Sequence, residues 1–203
     1  MGTGTGSMID LAARDALFLE ARTQNGWLDQ PVTDEQLRQI YELASMGPTA
    51  GNTQPARFVF LRSREAKERL RPALTPGNLE KTMSAPVTAI VAYDLEFHEQ
   101  IPKVFPHKPE MKDGFAGEQN AVKRQTVAFR NGTLGGAYLI MAIRALGLGA
   151  GPMSGFDNAA VDREFFPEGT FKSNFLCNIG VGDPAKVLRR LPRLSFDEAC
   201  RIL

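Results

Sequence analysis

Residues 118–146 read as one long helix, and this element constrains the fold more than any other feature of the chain. Gly132, Gly135 and Gly136 lie inside it. Each costs about 1 kcal/mol relative to alanine in a helix interior, so close packing against another helix or another chain is expected there. The other signals are shorter. Residues 10–20 place Leu11, Leu17 and Phe18 at helical spacing. Thr33 and Gln36 have the capping-box form and open a helix through Leu37, Ile40, Tyr41 and Leu43, stopped by Gly47 and Pro48. Residues 58–61 predict a short strand, 63–70 a charged amphipathic helix, and 86–93 a buried strand of continuous apolar character. A strand is expected after the long helix. Asp157 then caps a helix to Phe165, residues 174–180 form a strand, and the tail 183–203 ends in a short helix after Ser195. Strands do not alternate regularly with helices, which predicts α+β rather than a doubly wound α/β sheet.

Residues 95–117 hold three prolines and both histidines and read as irregular. A loop of this length in a small domain is often a lid or binding loop. His98 and His107 have no cysteine or carboxylate cluster at ligand spacing, so they read as surface histidines and no metal is expected.

The chain has 203 residues, enough for one domain, taken as residues 10–203 behind a flexible leader at 1–9. Its 24 basic and 23 acidic side chains leave a net charge of +1, which argues against a general nucleic-acid binder. No apolar run suits a bilayer, since the best stretch, 134–148, is broken by Arg144 and by glycines. The leader lacks the charged and apolar regions of a signal peptide. Cys177 lies in an apolar strand and reads as a buried reduced thiol, and with Cys200 as its only companion a cytoplasmic location is expected.

Three turn-prone segments carry small hydrogen-bonding groups at the edges of apolar elements. Arg22, Thr23 and Asn25 bring a guanidinium, a hydroxyl and an amide together, which suits a phosphate and a ribityl chain, or an ordinary solvated connection. Residues 48–54 start at a helix end, where free amides and Asn52 could grip a polar ring edge, or form a plain loop. Residues 149–155 have little side-chain bulk, so backbone can approach a planar ring there, or simply turn from strand to helix. Residues 147–151 imitate a dinucleotide fingerprint, but they follow a helix and no helix starts directly after them. No P-loop and no nucleophile elbow is present.

In this order and spacing the three segments resemble the flavin-binding segments of the FMN-dependent nitroreductase family. The likeness covers nearly the whole chain from Arg14 onward. It implies a nitroreductase-like α+β fold, with a central, mainly antiparallel sheet flanked by helices and a long central dimer helix. It implies that Arg22, Thr23 and Asn25 bind the FMN phosphate and pyrimidine edge, although relatives usually carry a cation where Asn25 stands. Pro48, Thr49, Asn52, Gln54 and Pro55 match a second flavin segment, with Ala56 and Arg57 departing from its usual aromatic. Asn78 and Lys81 match an Asn-x-x-Lys pair at the flavin pyrimidine end. Pro152, Met153, Ser154 and Gly155 match the turn that covers the isoalloxazine, with Ser154 in place of the common glutamate. Arg190 and Arg193 stand where the family places basic phosphate contacts.

Within the family, the strings around Ala21 to Trp27, Pro55 to Arg57, Gly77 to Thr82, Gly151 to Asp157 and Arg190 to Phe196 are similar to the branch of malonic semialdehyde reductases of pyrimidine degradation. The resemblance implies an enzyme with FMN as cofactor, NADH or NADPH as co-substrate and a small-molecule electron acceptor. It also implies a homodimer with the flavin site at the subunit interface. Lys81 is then the cation for negative charge that collects on the reduced flavin, with Asn25 and Asn78 as neutral donors. Arg57 is a candidate for a substrate carboxylate, or simply exposed. Broad nitro, quinone or enone reduction is the alternative activity, and a flavin-binding protein without turnover the alternative class.

Overall fold

Four antiparallel strands form one sheet in the order β1-β2-β4-β3, with β1 at Ala56–Leu61, β2 at Val87–Asp94, β3 at Gly149–Met153 and β4 at Phe171–Gly180. The structure is a computed structural model that describes residues 8–203; all of the expected 1–9 leader except Met8 and Ile9 lies outside the described residues. Every residue of β2 is buried, because helices cover both faces of the sheet. Its side chains divide by the two-residue period of a strand. Val87, Ala89 and Val91 join Ile40, Leu139, Ile143, Cys177 and Ile179 in one core, whereas Ile90 and Ala92 join Leu61, Leu70, Val161, Phe166 and Leu176 in another. Each valine, leucine or isoleucine among them contributes roughly 1.5–3 kcal/mol when fully buried.

The helices are α1 (Leu11–Arg14), which continues as a π turn at Asp15–Leu19, α2 (Asp34–Ala44), α3 (Arg64–Leu70), α4 (Pro76–Met83), α5 (Ile101–Val104), α6 (Ala121–Ala145), α7 (Asn158–Phe165) and α8 (Phe196–Ala199). The capping box of Thr33 and Gln36 is formed. The fold is the expected α+β arrangement around one long helix.

The glycines of α6 face the sheet, not another helix or chain. A Cβ at Gly132 would lie 2.7 Å from the Tyr93 Cβ, and one at Gly136 would lie 2.6 Å from the Phe175 ring. Missing side chains thus let the helix axis sink onto β2 and β4. Helix α4 was not expected as an element, because Pro76-Gly77-Asn78 has the composition of a turn. Pro76 instead occupies the first helical turn, where its missing N–H costs nothing.

Residues 95–117 are not irregular throughout. They hold α5 and short 3-10 turns around their own apolar cluster, in which Phe97 and Ile101 are fully buried beside Tyr93 and Ala128. His98 is correspondingly a buried histidine rather than a surface one, 3% exposed, with Nε2 3.5 Å from Glu99 and 3.7 Å from Glu96. His107 is exposed, its ring 4.0 Å from that of Phe105. Among the described residues no group of three or more His, Cys, Asp or Glu could hold a metal, and no helix is long and apolar enough to cross a membrane.

Candidate functional site

Residues 22–27 extend the sheet beyond β3 by isolated bridges. Thr23 bridges Ala150, the Gln24 N–H donates to the Ala150 carbonyl at 3.0 Å, and Trp27 bridges Gly182. The Trp27 indole then reaches across to α4, where Nε1 donates to the Lys81 carbonyl at 2.9 Å. Asn178 on β4 donates to the same carbonyl at 3.1 Å. A carbonyl in the last turn of a helix has no helical partner, and here two side chains supply one. Arg22, Thr23 and Asn25 are thereby fixed relative to Asn78 and Lys81.

The opposite end of α4 holds the turn that follows β3. The Gly155 carbonyl accepts from the Thr75 hydroxyl and from Asn78 Nδ2, both at 2.8 Å. A side chain at Gly155 would collide with both, its Cβ falling 2.5 Å from Asn78 Nδ2. Asn78 therefore spends its amide nitrogen on bracing the 152–155 turn. Met153 turns inward, its sulfur 3.5 Å from the Thr82 hydroxyl, while Ser154 is exposed. Pro152 is tolerated because β3 is an edge strand. Pro152, Met153 and Ser154 line an apolar cavity of about 390 Å³ with Ile140 and Phe175. The Lys81 ammonium is half-buried and makes no hydrogen bond or ion pair among the described residues.

A second cavity, of about 310 Å³, lies where the tail crosses residues 21–25. Arg22, Arg144, Arg189, Arg190 and Arg193 line it together with Thr23 and Asn25, and no acidic side chain does. None of these five arginines is in an ion pair among the described residues, although the chain as a whole carries only +1. Arg22 donates to the Leu188 carbonyl, and Arg190 donates to the Leu19 carbonyl at 2.5 Å and to that of Ala21 at 3.3 Å. This reciprocal lacing brings together residues more than 160 positions apart in sequence.

Residues 48–54 are not part of that assembly. The Ala50 N–H donates to Asn131 Oδ1 at 2.8 Å, and Gly47 lies against the Tyr138 ring. Asn131 and Tyr138 share one flank of α6, whereas Thr133, Ile140 and Arg144, which line the two cavities, lie about 200° round the axis from Asn131. The carboxamide of Asn52 is engaged at both ends, Nδ2 donating to Val104 at 2.7 Å and Oδ1 accepting from Gln54 at 3.0 Å. Asn52 and Gln54 adopt φ of 49° and 43°, uncommon for residues with a Cβ. These bonds hold that backbone and tie it to α5. Pro48 and Thr49 stay at the surface of this loop, with Thr49 Oγ1 accepting from the Gln54 N–H at 3.1 Å.

Arg57 is not available for a substrate carboxylate. It pairs with Asp94 at 2.5 Å, donates to the Gln54 and Ala56 carbonyls and lies over the Phe171 ring. Cys177 is buried and Cys200 exposed, both as free thiols.

The sequence profile of the nitroreductase family matches residues 21–182, from the arginine-bearing segment to the end of the sheet. The chain belongs to the nitroreductase family. A Stenotrophomonas maltophilia protein named as a candidate NADH dehydrogenase/NAD(P)H nitroreductase is 59% identical over 194 residues, covering 96% of this chain and 97% of its own. Among solved structures, a nitroreductase-like protein from Exiguobacterium sibiricum in complex with FMN superposes with a TM-score of 0.80 at 17% identity, over 98% of this chain and all of that one. A gut-bacterial enone reductase of fatty acid saturation superposes with a TM-score of 0.79 at 18% identity, over 97% of this chain and all of that one. These two likenesses are of fold.

For a nitroreductase-family chain, the sequence reading missed two arginines of the cavity, Arg144 and Arg189. Arg144 had a visible signal: it is the single cation in the apolar run 134–148. Arg189 had none beyond its neighbour Arg190. The sequence reading also missed the role of Trp27, which joins the first segment to α4.

Proposed function

We propose that this chain is an FMN-dependent NAD(P)H oxidoreductase that works as a homodimer. The observation that carries this reading is the arginine cavity, whose guanidinium groups form no ion pair among the described residues and suit a compact anion beside the first segment. A phosphate monoester carries about −1.5 to −2 charge and several acceptor oxygens, and guanidinium groups match it in geometry as well as charge. The apolar shelf at Pro152 to Ser154 offers a flat surface for a ring system, and α4 is tied to the first segment through Trp27 and to the 152–155 turn through Asn78. Bound FMN would supply the hydride chemistry, accepting from NAD(P)H and passing reducing equivalents to a second substrate.

The residues then divide the work. Arg22, Thr23, Arg190 and Arg193 would hold the phosphate of bound FMN. Asn25 and the Asn78 oxygen, which makes no hydrogen bond among the described residues, would serve the polar edge of the ring. Lys81 supplies the one cation of α4 that lacks a partner, and its charge favours negative charge near it. Trp27 and Asn178 keep Lys81 in register with Arg22.

Residues 48–54 support the dimer. They lie on one flank of α6 and the cavities on the other, so a single ring bound at Pro152 to Ser154 meets a 48–54 segment only if a second copy brings it. Leu188, Leu191, Leu194 and Phe196 in the tail are exposed and suit contact with such a copy. Light scattering of the flavin-loaded protein at micromolar concentration is expected to give a dimer mass; a monomer retaining flavin would refute it.

Two acceptor readings divide on Arg57. The branch resemblance favours reduction of malonic semialdehyde to 3-hydroxypropionate, which needs a cation for the substrate carboxylate. The pairing of Arg57 with Asp94 removes the expected one and favours neutral planar acceptors such as quinones, nitroarenes or enones. Steady-state kinetics with each acceptor under NADH and NADPH separates them: the aldehyde reading requires the highest kcat/KM for malonic semialdehyde.

A further inference from the structure

Resting on the FMN reading above, we propose that Arg144 is a further phosphate-binding residue, one that makes the site discriminate phosphorylated from unphosphorylated flavin. Arg144 stands in the last turn of α6 and lines the arginine cavity. Of its five N–H donors, one is accounted for within the chain, Nη1 donating to the Leu17 carbonyl at 3.0 Å. Its Nε is fully buried and has no partner among the described residues. Burial works against its charge, with no carboxylate to offset the cost. A cation with an unmet buried donor and no carboxylate beside it favours an anion in the cavity, which the Nη hydrogens left over from the Leu17 bond would meet.

Its setting also differs from that of the other four arginines. Arg22 sits in an extended segment, and Arg189, Arg190 and Arg193 in a tail whose residues 188–203 are all exposed. Arg22, Arg190 and Arg193 donate to backbone carbonyls as Arg144 does, so the difference lies in the element that carries each side chain. Arg144 stands on a 25-residue helix packed on the sheet. It provides a fixed guanidinium against which the tail arginines close, and groups held on rigid elements place a ligand more accurately than groups on loops.

The test is equilibrium binding of FMN and of riboflavin, followed by flavin fluorescence, to deflavinated wild-type protein, Arg144→Met and Arg144→Lys. Riboflavin lacks only the phosphate. The expected result is a loss of FMN affinity of roughly tenfold or more in Arg144→Met, with riboflavin affinity unchanged within about threefold and Arg144→Lys intermediate. An Arg144→Met protein with the wild-type ratio of FMN to riboflavin affinity overturns the proposal, whether both affinities fall together or neither does. Should Arg144→Met not fold, a wild-type ratio in Arg144→Lys overturns it equally. Wild-type protein that binds neither flavin would sink the cofactor reading itself, and this inference with it.

Discussion

The Trp27 indole donates to the Lys81 carbonyl across 54 positions of sequence, and this one bond sets the spacing between the arginine segment and α4. Trp27→Phe keeps most of the ring's packing against Gly180 and loses the donor. Asn178 still serves the carbonyl, so the cost should be about 1 kcal/mol, a fall of about 2–4 °C in Tm for a chain of this size. FMN affinity should fall severalfold as the first segment loosens. Unaltered Tm and Kd would show that the bond positions nothing.

Arg22→Ala removes a guanidinium from the cavity and its tie to the Leu188 carbonyl. A charged hydrogen bond to phosphate contributes about 1.5–3 kcal/mol, so FMN affinity should drop about ten- to a hundredfold. Full FMN retention after dialysis would show that Arg22 only laces the tail.

Lys81→Ala separates tuning from binding. Its ammonium lacks a partner among the described residues, so its value lies in favouring negative charge that appears only on reduction of the flavin. The midpoint potential of bound FMN should fall, while oxidised FMN stays bound with a smaller loss, because only a differential interaction shifts that equilibrium. An unchanged potential in the folded, flavin-loaded variant would make Lys81 a surface lysine.

Lys67 gives a pH-dependent stability. It is 4% exposed, its ammonium meets only the Thr82 carbonyl, at 3.3 Å, among the described residues, and burial pulls its pKa down to about 8 from 10.5. Below about pH 8 both folded and unfolded chains carry the proton, and folding bears the full cost of burying the charge. Between about 8 and 10.5 the unfolded chain binds more protons, so stability rises with pH, by about 3 kcal/mol at most. Cys177 opposes this: burial pushes its thiol up to about 12 from 9.0, so its contribution falls as pH rises above about 9. Comparison with Lys67→Met removes the overlap. The variant should be more stable at pH 7 in denaturant titration, and its advantage should vanish by about pH 10.5. An advantage independent of pH would contradict the buried charge.

The elements with strong periodicity were legible in the sequence: the capping box at Thr33, the buried run of β2 and the long helix α6 all stand where the residues put them. Helix α4 was not, because Pro76 and Gly77 carry turn signals and its stability comes from contacts to Gly155, Trp27 and Asn178, all distant in sequence. His98 was read as exposed for the same reason: what buries it is the cluster around Phe97, assembled from β2, α5 and α6. In the candidate site, the sequence named the segments but not their grouping. That Arg190 meets Ala21 while Asn52 meets Val104 depends on which flank of α6 each loop reaches. Arg57 shows the limit most plainly, since its partner Asp94 is set by the β1–β2 register, which places Arg57 opposite Ala92.

The central claim is tested most directly by anaerobic addition of NADH or NADPH to the FMN-loaded protein, followed at the visible flavin band. The expected result is loss of the band without acceptor, and its return when a quinone, nitroarene or aldehyde acceptor is added. A protein that retains no FMN after dialysis, or whose bound FMN keeps its band under excess NADH and NADPH, would contradict it.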